Sequence, residues 1–79
     1  MKNAMLSYRE AVDHIANVKV DNRDQYMYGE LEHETYLQWE AECYGMVRIV
    51  AHIYDVPFLT VYEDVTCACY RIIDENEEW

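Results

Sequence analysis

One proline, Pro57, and two glycines, Gly29 and Gly45, are the only strong backbone breakers in 79 residues. Proline removes an amide donor and clashes with the preceding turn, and glycine costs about 1 kcal/mol against alanine inside a helix. A chain this poor in both is free to run in long helices, and its apolar residues repeat accordingly. Ala11, Val12, Ile15 and Ala16 keep the i, i+1, i+4, i+5 spacing of one helical face. Tyr36, Leu37, Glu40, Tyr44, Val47, Val50, Ala51 and Tyr54 fall near one face of a longer helix, with Glu40 the misfit, and Val61, Val65, Ala68, Cys69 and Ile72 form a third stripe. With 52% hydrophobic and 14% aromatic residues the chain is too apolar for a disordered acidic tail, and its length is near the small end of what folds alone. The expected fold is all-α: one compact domain over residues 1–79, built from three or four helices.

Local signals set the expected boundaries. Ser7-Tyr8-Arg9-Glu10 has the spacing of a capping box, so a first helix starts there, and the polar cluster Asp21-Asn22-Arg23-Asp24 is expected to end it soon after. Val18-Lys19-Val20 alternates but is too short to define a strand. A further boundary is expected near His33 to Thr35, with Gly29 and Gly45 each marking either a break or a close packing contact. Asp55-Val56-Pro57 stops the long helix, because the residue before proline disfavours helical geometry and proline suits a first helical turn. The acidic tail 74–79 is expected to fray.

Charge narrows the function. Six Lys plus Arg against sixteen Asp plus Glu give a formal charge of -10, which repels phosphate backbones and anionic membranes and attracts basic clefts. Direct nucleic-acid binding is therefore not expected, and a basic protein surface is. No apolar run approaches the ~18 residues that cross a bilayer, and Met1 to Leu6 lacks the long apolar region of a signal peptide, so the expected location is cytoplasmic. Cys43, Cys67 and Cys69 are odd in number, which argues against a disulfide scaffold. Cys67-x-Cys69 has one intervening residue where zinc sites use two to four, and His14, His33 and His52 lie on separate elements, so no metal site is expected. Adjacent carboxylates such as Glu63-Asp64 lack an accompanying nucleophile or glycine-rich phosphate loop. No catalytic residue and no cofactor are assigned.

The segment Arg48 to Val65 carries the pattern Ala51-x-x-x-Asp55-Val56-Pro57-x-x-Thr60-Val61-Tyr62 and resembles a helix-turn-helix. Ala51 permits close helix crossing, Val56 and Val61 are placed to pack between the helices, and Thr60-Val61-Tyr62 is similar to the start of many recognition helices. The segment departs from the family at Asp55, where a turn glycine is usual, and at Pro57, where a capping Ser or Thr is usual. The resemblance implies a helix-turn-helix-like C-terminal half, but the second helix carries Glu63 and Asp64 where a DNA reader carries cations. In size, acidity and lack of catalytic motifs the chain also resembles phage-encoded anti-defence proteins, the anti-CRISPR and anti-restriction inhibitors. That resemblance, one of type, implies occupancy of a nuclease or effector, in the host cytoplasm, by carboxylates standing in for phosphates. The alternative is a degenerate helix-turn-helix regulator or adaptor. A homodimer is compatible with either.

Candidate partner-binding residues follow from the same pattern. Glu30, Glu34, Gln38 and Glu42 recur every four residues, so on a continuous helix they form a ridge with a step of about 6 Å. Duplex phosphates are denser, about one charge per 1.7 Å of axis, so Glu32, Glu63, Asp64 and the tail are needed to supplement the ridge. Tyr26, Tyr28 and Tyr62 are expected on the surface as contact residues, whereas Tyr36, Tyr44, Tyr54 and Tyr70 are expected to be half-buried.

Overall fold

The computed structural model describes residues 7–76, which form α1 (Tyr8–Met27), α2 (His33–Tyr54) and α3 (Phe58–Asn76), with no strand among them. The capping box starts α1 as the sequence implies. Ser7 Oγ accepts from the Glu10 amide at 3.1 Å, and Glu10 Oε1 accepts from the Ser7 amide at 2.9 Å.

α1 does not stop at Asp21 to Asp24; it runs through them to Met27 and takes Val18-Lys19-Val20 with it. Asn22 supplies the reason. It faces inward, 5% exposed, and its side-chain amide reaches Cys43 Sγ at 4.0 Å, so packing against α2 outweighs the local preference for a turn. The chain breaks instead at residues 28–32. There Gly29 takes φ +77°, its N–H bonds the Tyr26 carbonyl, and the Glu30 N–H bonds the Gln25 carbonyl at 2.8 Å. This pair of bonds is the Schellman closure that a left-handed residue permits. α2 ends the same way: Asp55 has φ 56°, its N–H points to the His52 carbonyl, and the Val56 N–H bonds the Ala51 carbonyl at 3.0 Å. Pro57 has no N–H to lose, and its carbonyl accepts from Val61 at 3.1 Å in the first turn of α3. The other glycine, Gly45, breaks nothing and sits within α2.

The helices run up, down and up. Tyr8 meets Tyr54 and Tyr26 stacks on Tyr36, so α1 and α2 are antiparallel. Tyr8 bonds Asp64, Arg71 reaches Asp13, and Ala16 accepts from Cys69, so α1 and α3 are parallel. The core lies along α1, where Ile15 and Ala16 meet Val47 of α2 and Val61 and Val65 of α3. The α3 stripe is as expected, with Val61, Val65 and Ala68 buried and Cys69 and Ile72 against them.

The α2 stripe was read too broadly. Cys43, Val47 and Val50 are buried, but Leu37 and Tyr44 are 52% and 48% exposed. They lie about 60 to 80° around the helix from Val47, at the edge of the buried side, where Tyr44 still stacks its ring on Phe58 of α3 at 5.4 Å. Tyr70, on the outer side of α3, is 68% exposed rather than half-buried. Asp74, Glu75 and Asn76 complete α3, and the remainder of the tail lies outside the described residues.

Candidate functional site

Three chain segments bring carboxylates to one end of the bundle. Asp21 and Asp24 come from the last two turns of α1, Glu30, Glu32 and Glu34 from the following turn and the start of α2, and Asp74 and Glu75 from the last turn of α3. Asp24, Met27 and Tyr28 of α1 and its cap share a groove with Ile73 and Asn76 of α3, which places the ends of the two parallel helices side by side. Two cations stand near these acids: Arg23, 3.8 Å from Asp24, and Arg71, which feels the charge of Glu75 but is held by Asp13.

Helix dipoles deepen the negative field. α1 and α3 both point their C-termini here, and neither has a basic residue in its last turn. Carboxylates beside a helix C-terminus oppose its partial negative charge, so Asp24, Asp74 and Glu75 are placed against local helix stability. Glu32 and Glu34 stand at the N-terminus of α2, where a negative charge is favoured. Tyr26 fixes the junction: its hydroxyl lies 2.7 Å from His33 Nδ1 and its ring stacks on Tyr36 at 4.4 Å. Tyr28 beside it is 80% exposed.

The structure thus brings together Tyr26, Tyr28, Glu30 and Glu34, but not as the ridge the spacing suggests. Glu30 precedes α2 by three residues and belongs to the turn, so the four-residue repeat is helical only from Glu34 onward. Glu42 lies exposed farther along α2. Glu63 and Asp64 stand in the second turn of α3, about 16 Å along that helix from Asp74. Glu63 is exposed, whereas Asp64 is half-buried and accepts from the Tyr8 hydroxyl at 2.5 Å. Burial, then the Asp64 bond and charge, push the Tyr8 phenol up to about 12. Tyr62 belongs to a separate aromatic cluster with Tyr44 and Phe58, and the Arg48 guanidinium sits 5.9 Å over the Phe58 ring.

Sequence reasoning passed over Asp21 and Asp24, because it ended the first helix at them. Their i, i+3 spacing places them on one side of a helix that continues. Two other acids are spoken for inside the fold: Asp13 holds Arg71 at 2.9 Å, and Glu40 holds Lys19 at 2.9 Å. Burial alone would lower the Lys19 ammonium, but the Glu40 bond and charge outweigh it and raise it. Glu40, the misfit of the apolar stripe, is therefore explained as the partner of a half-buried lysine.

The cysteines are free; burial raises the thiols of Cys43 and Cys69, which disfavours a thiolate at either. Among the described residues no three His, Cys, Asp or Glu side chains are grouped to hold a metal ion, and no helix is long and apolar enough to cross a membrane. The chain matches no family model, no curated protein and no solved structure.

Proposed function

We propose that this protein is a small acidic inhibitor that binds a basic, nucleic-acid-binding surface on another protein and excludes nucleic acid from it by occupancy, with no catalytic step. The observation that carries the reading is the acidic end. Its carboxylates are gathered from three segments and outnumber the nearby Arg23 and Arg71, and several oppose the dipole of the helix they end. Solubility would be served by the same charges anywhere on the surface, whereas concentrating them creates a field that steers a basic partner. Tyr28 supplies exposed aromatic area at the same place. A nuclease or effector of an anti-phage defence system is the proposed partner class, in keeping with the resemblance in size and charge. Glu42, Glu63, Asp64 and Tyr62 extend this reading as a second ring of contacts.

The test begins with duplex DNA, to which the chain should show no binding at physiological salt, because nonspecific affinity arises from cations that release counterions. Micromolar duplex binding in an anisotropy titration would replace the inhibitor with a helix-turn-helix reader. With a partner captured from the native host, the on-rate measured by surface plasmon resonance should fall steeply with salt. Glu30→Lys with Glu34→Lys should weaken that binding by far more than the roughly 1 kcal/mol that reversing the Glu34 charge at the N-terminus of α2 takes from the fold, and Tyr28→Ala should act on the off-rate. Salt-independent association would leave the acidic end a solubility feature.

A further inference from the structure

α2 and α3 each pack on α1 more than on each other, and between them runs a groove of about 250 Å³ to which all three helices contribute. Val20 of α1 with Cys69 and Ile73 of α3 give it an apolar base, and three tyrosines line it, Tyr36 of α2 and Tyr62 and Tyr70 of α3. Two of these rings are already held inside the fold. Tyr36 stacks on Tyr26 at 4.4 Å, and Tyr62 lies 5.5 Å from the Tyr44 ring. Tyr70 is 68% exposed, and its ring touches no other ring among the described residues.

The charge of this groove differs from that of the chain. Lys19 and Arg23 line it, and Glu40 is its single carboxylate among the described residues, on a protein of formal charge -10. Glu40 is spent on Lys19 at 2.9 Å, but Arg23 has no such partner. Its Nε donates to the Met27 thioether at 3.2 Å, a weak acceptor, and its Nη1 stands 3.8 Å from Asp24, too far for a hydrogen bond. Both terminal nitrogens of the guanidinium keep their donors free. The Tyr36 phenol is raised first by burial and then by Glu40, while the charges of Lys19 and Arg23 act on it in the opposite sense, which sets both cations around this ring.

We infer that this groove binds a small aromatic carboxylate, with the ring against Tyr36 and Tyr70 and the carboxylate on the guanidinium of Arg23. Two free terminal nitrogens match the two oxygens of a carboxylate in a bidentate pair. One unspent cation balances one negative charge, so a monoanion fits this site, and a phosphate dianion on a chain this acidic does not. Tyrosine walls favour a planar ring over an aliphatic one, because offset or edge contacts between rings add to the area they bury. Size sets the limit: about 150 Å³ is enough for benzene, so this groove holds one ring with a short acid arm. The inference does not rest on what the acidic end binds.

Phenylacetate is the probe, with phenylacetamide as its uncharged counterpart and cyclohexylacetate as its non-aromatic one. Titrated into the isotope-labelled full chain, phenylacetate should shift the NMR signals of the Val20, Tyr36 and Ile73 amides with a dissociation constant of about 0.3 to 3 mM, the range for a ligand of this size. Phenylacetamide should bind about tenfold more weakly and cyclohexylacetate about threefold more weakly. Arg23→Gln should erase the preference for the acid over the amide. Arg23→Lys, which keeps the charge and loses the fork, should retain part of that preference. Tyr70→Ala should weaken acid and amide alike, by about threefold. Arg48→Gln, at the separate aromatic cluster of Tyr44 and Phe58, should change nothing, and thermal melts of all four variants confirm that each is folded. The inference is overturned by the absence of saturable shifts below about 20 mM, by equal binding of acid and amide to the native chain, or by an Arg48→Gln loss as large as that of Arg23→Gln.

Discussion

α1 and α2 are of similar length, 20 and 22 residues, and they place their apolar side chains in opposite ways. α1 buries Ala11, Val12, Ile15, Ala16, Val20 and the polar Asn22, since it lies between two neighbours and its core-facing side is nearly all small or aliphatic. α2 is the richer in aromatic and aliphatic residues, yet it buries only Cys43, Val47 and Val50 and leaves Leu37, Ile49 and Ile53 more than half exposed. Burial here follows position in the bundle and not the apolar content of the helix. The lesson is that surplus apolar surface on α2 is directed outward, away from its own core.

The largest expected effect separates the two faces directly. Ile15→Ala removes a side chain that is 2% exposed and should cost about 2 to 4 kcal/mol, because buried truncations lose transfer energy and leave a cavity. Ile53→Ala should change the monomer by less than about 0.5 kcal/mol. Val61→Ala and Val50→Ala should fall between, at about 1 to 2 kcal/mol, and Glu34→Gln should behave like Ile53→Ala. Urea melts check the order. An Ile53→Ala cost equal to that of Ile15→Ala would mean that α2 buries its outer face within the single chain.

Much of this contrast was legible in the residues, and its limits are instructive. Capping chemistry placed the start of α1 at Ser7, and proline chemistry placed the end of α2 before Pro57, because both act within one turn of chain. The α1 and α3 stripes were correct because each apolar side faces two neighbours or a central one. The α2 stripe failed at Leu37 and Tyr44 since periodicity gives the direction of a face but not how wide an arc its neighbours cover. The end of α1 was missed for a different reason: the burial of Asn22 against Cys43 is a long-range contact that no local rule contains. The acidic end was only half legible, as Glu30, Glu34, Tyr26 and Tyr28 are close in sequence whereas Asp74 and Glu75 arrive only through the parallel packing of α3 on α1.

Polar anchoring sharpens the same comparison at an intermediate magnitude. Tyr8, packed against Tyr54, ties the first turn of α1 to α3 through Asp64. Tyr8→Phe keeps the ring and removes the bond, which should cost about 1.5 to 3 kcal/mol, the range for a hydrogen bond to a charged acceptor. The loss should depend on pH. Because folding raises this phenol from its ordinary 10 to about 12, its contribution is complete below pH 10 and disappears as pH rises toward 12. The difference in melting temperature between the native chain and Tyr8→Phe should therefore shrink through that window. A constant difference would show that the Asp64 bond does not couple to ionisation of Tyr8.

The two glycines should give modest effects, and these should have opposite signs. Gly29 has φ +77°, a left-handed conformation that costs an L side chain about 1 to 2 kcal/mol, so Gly29→Ala should destabilise by about that amount even though a Cβ there meets nothing within 4 Å. Gly45 is helical and equally open, so Gly45→Ala should stabilise the monomer by up to about 1 kcal/mol. Asp55 provides the internal control. It holds the left-handed position at the end of α2 that Gly29 holds at the end of α1, so Asp55→Gly should stabilise where Gly29→Ala destabilises. Thermal melts of the three variants at low protein concentration give the signs. A loss of stability from Gly45→Ala would mean that a side chain at this position meets the fold after all.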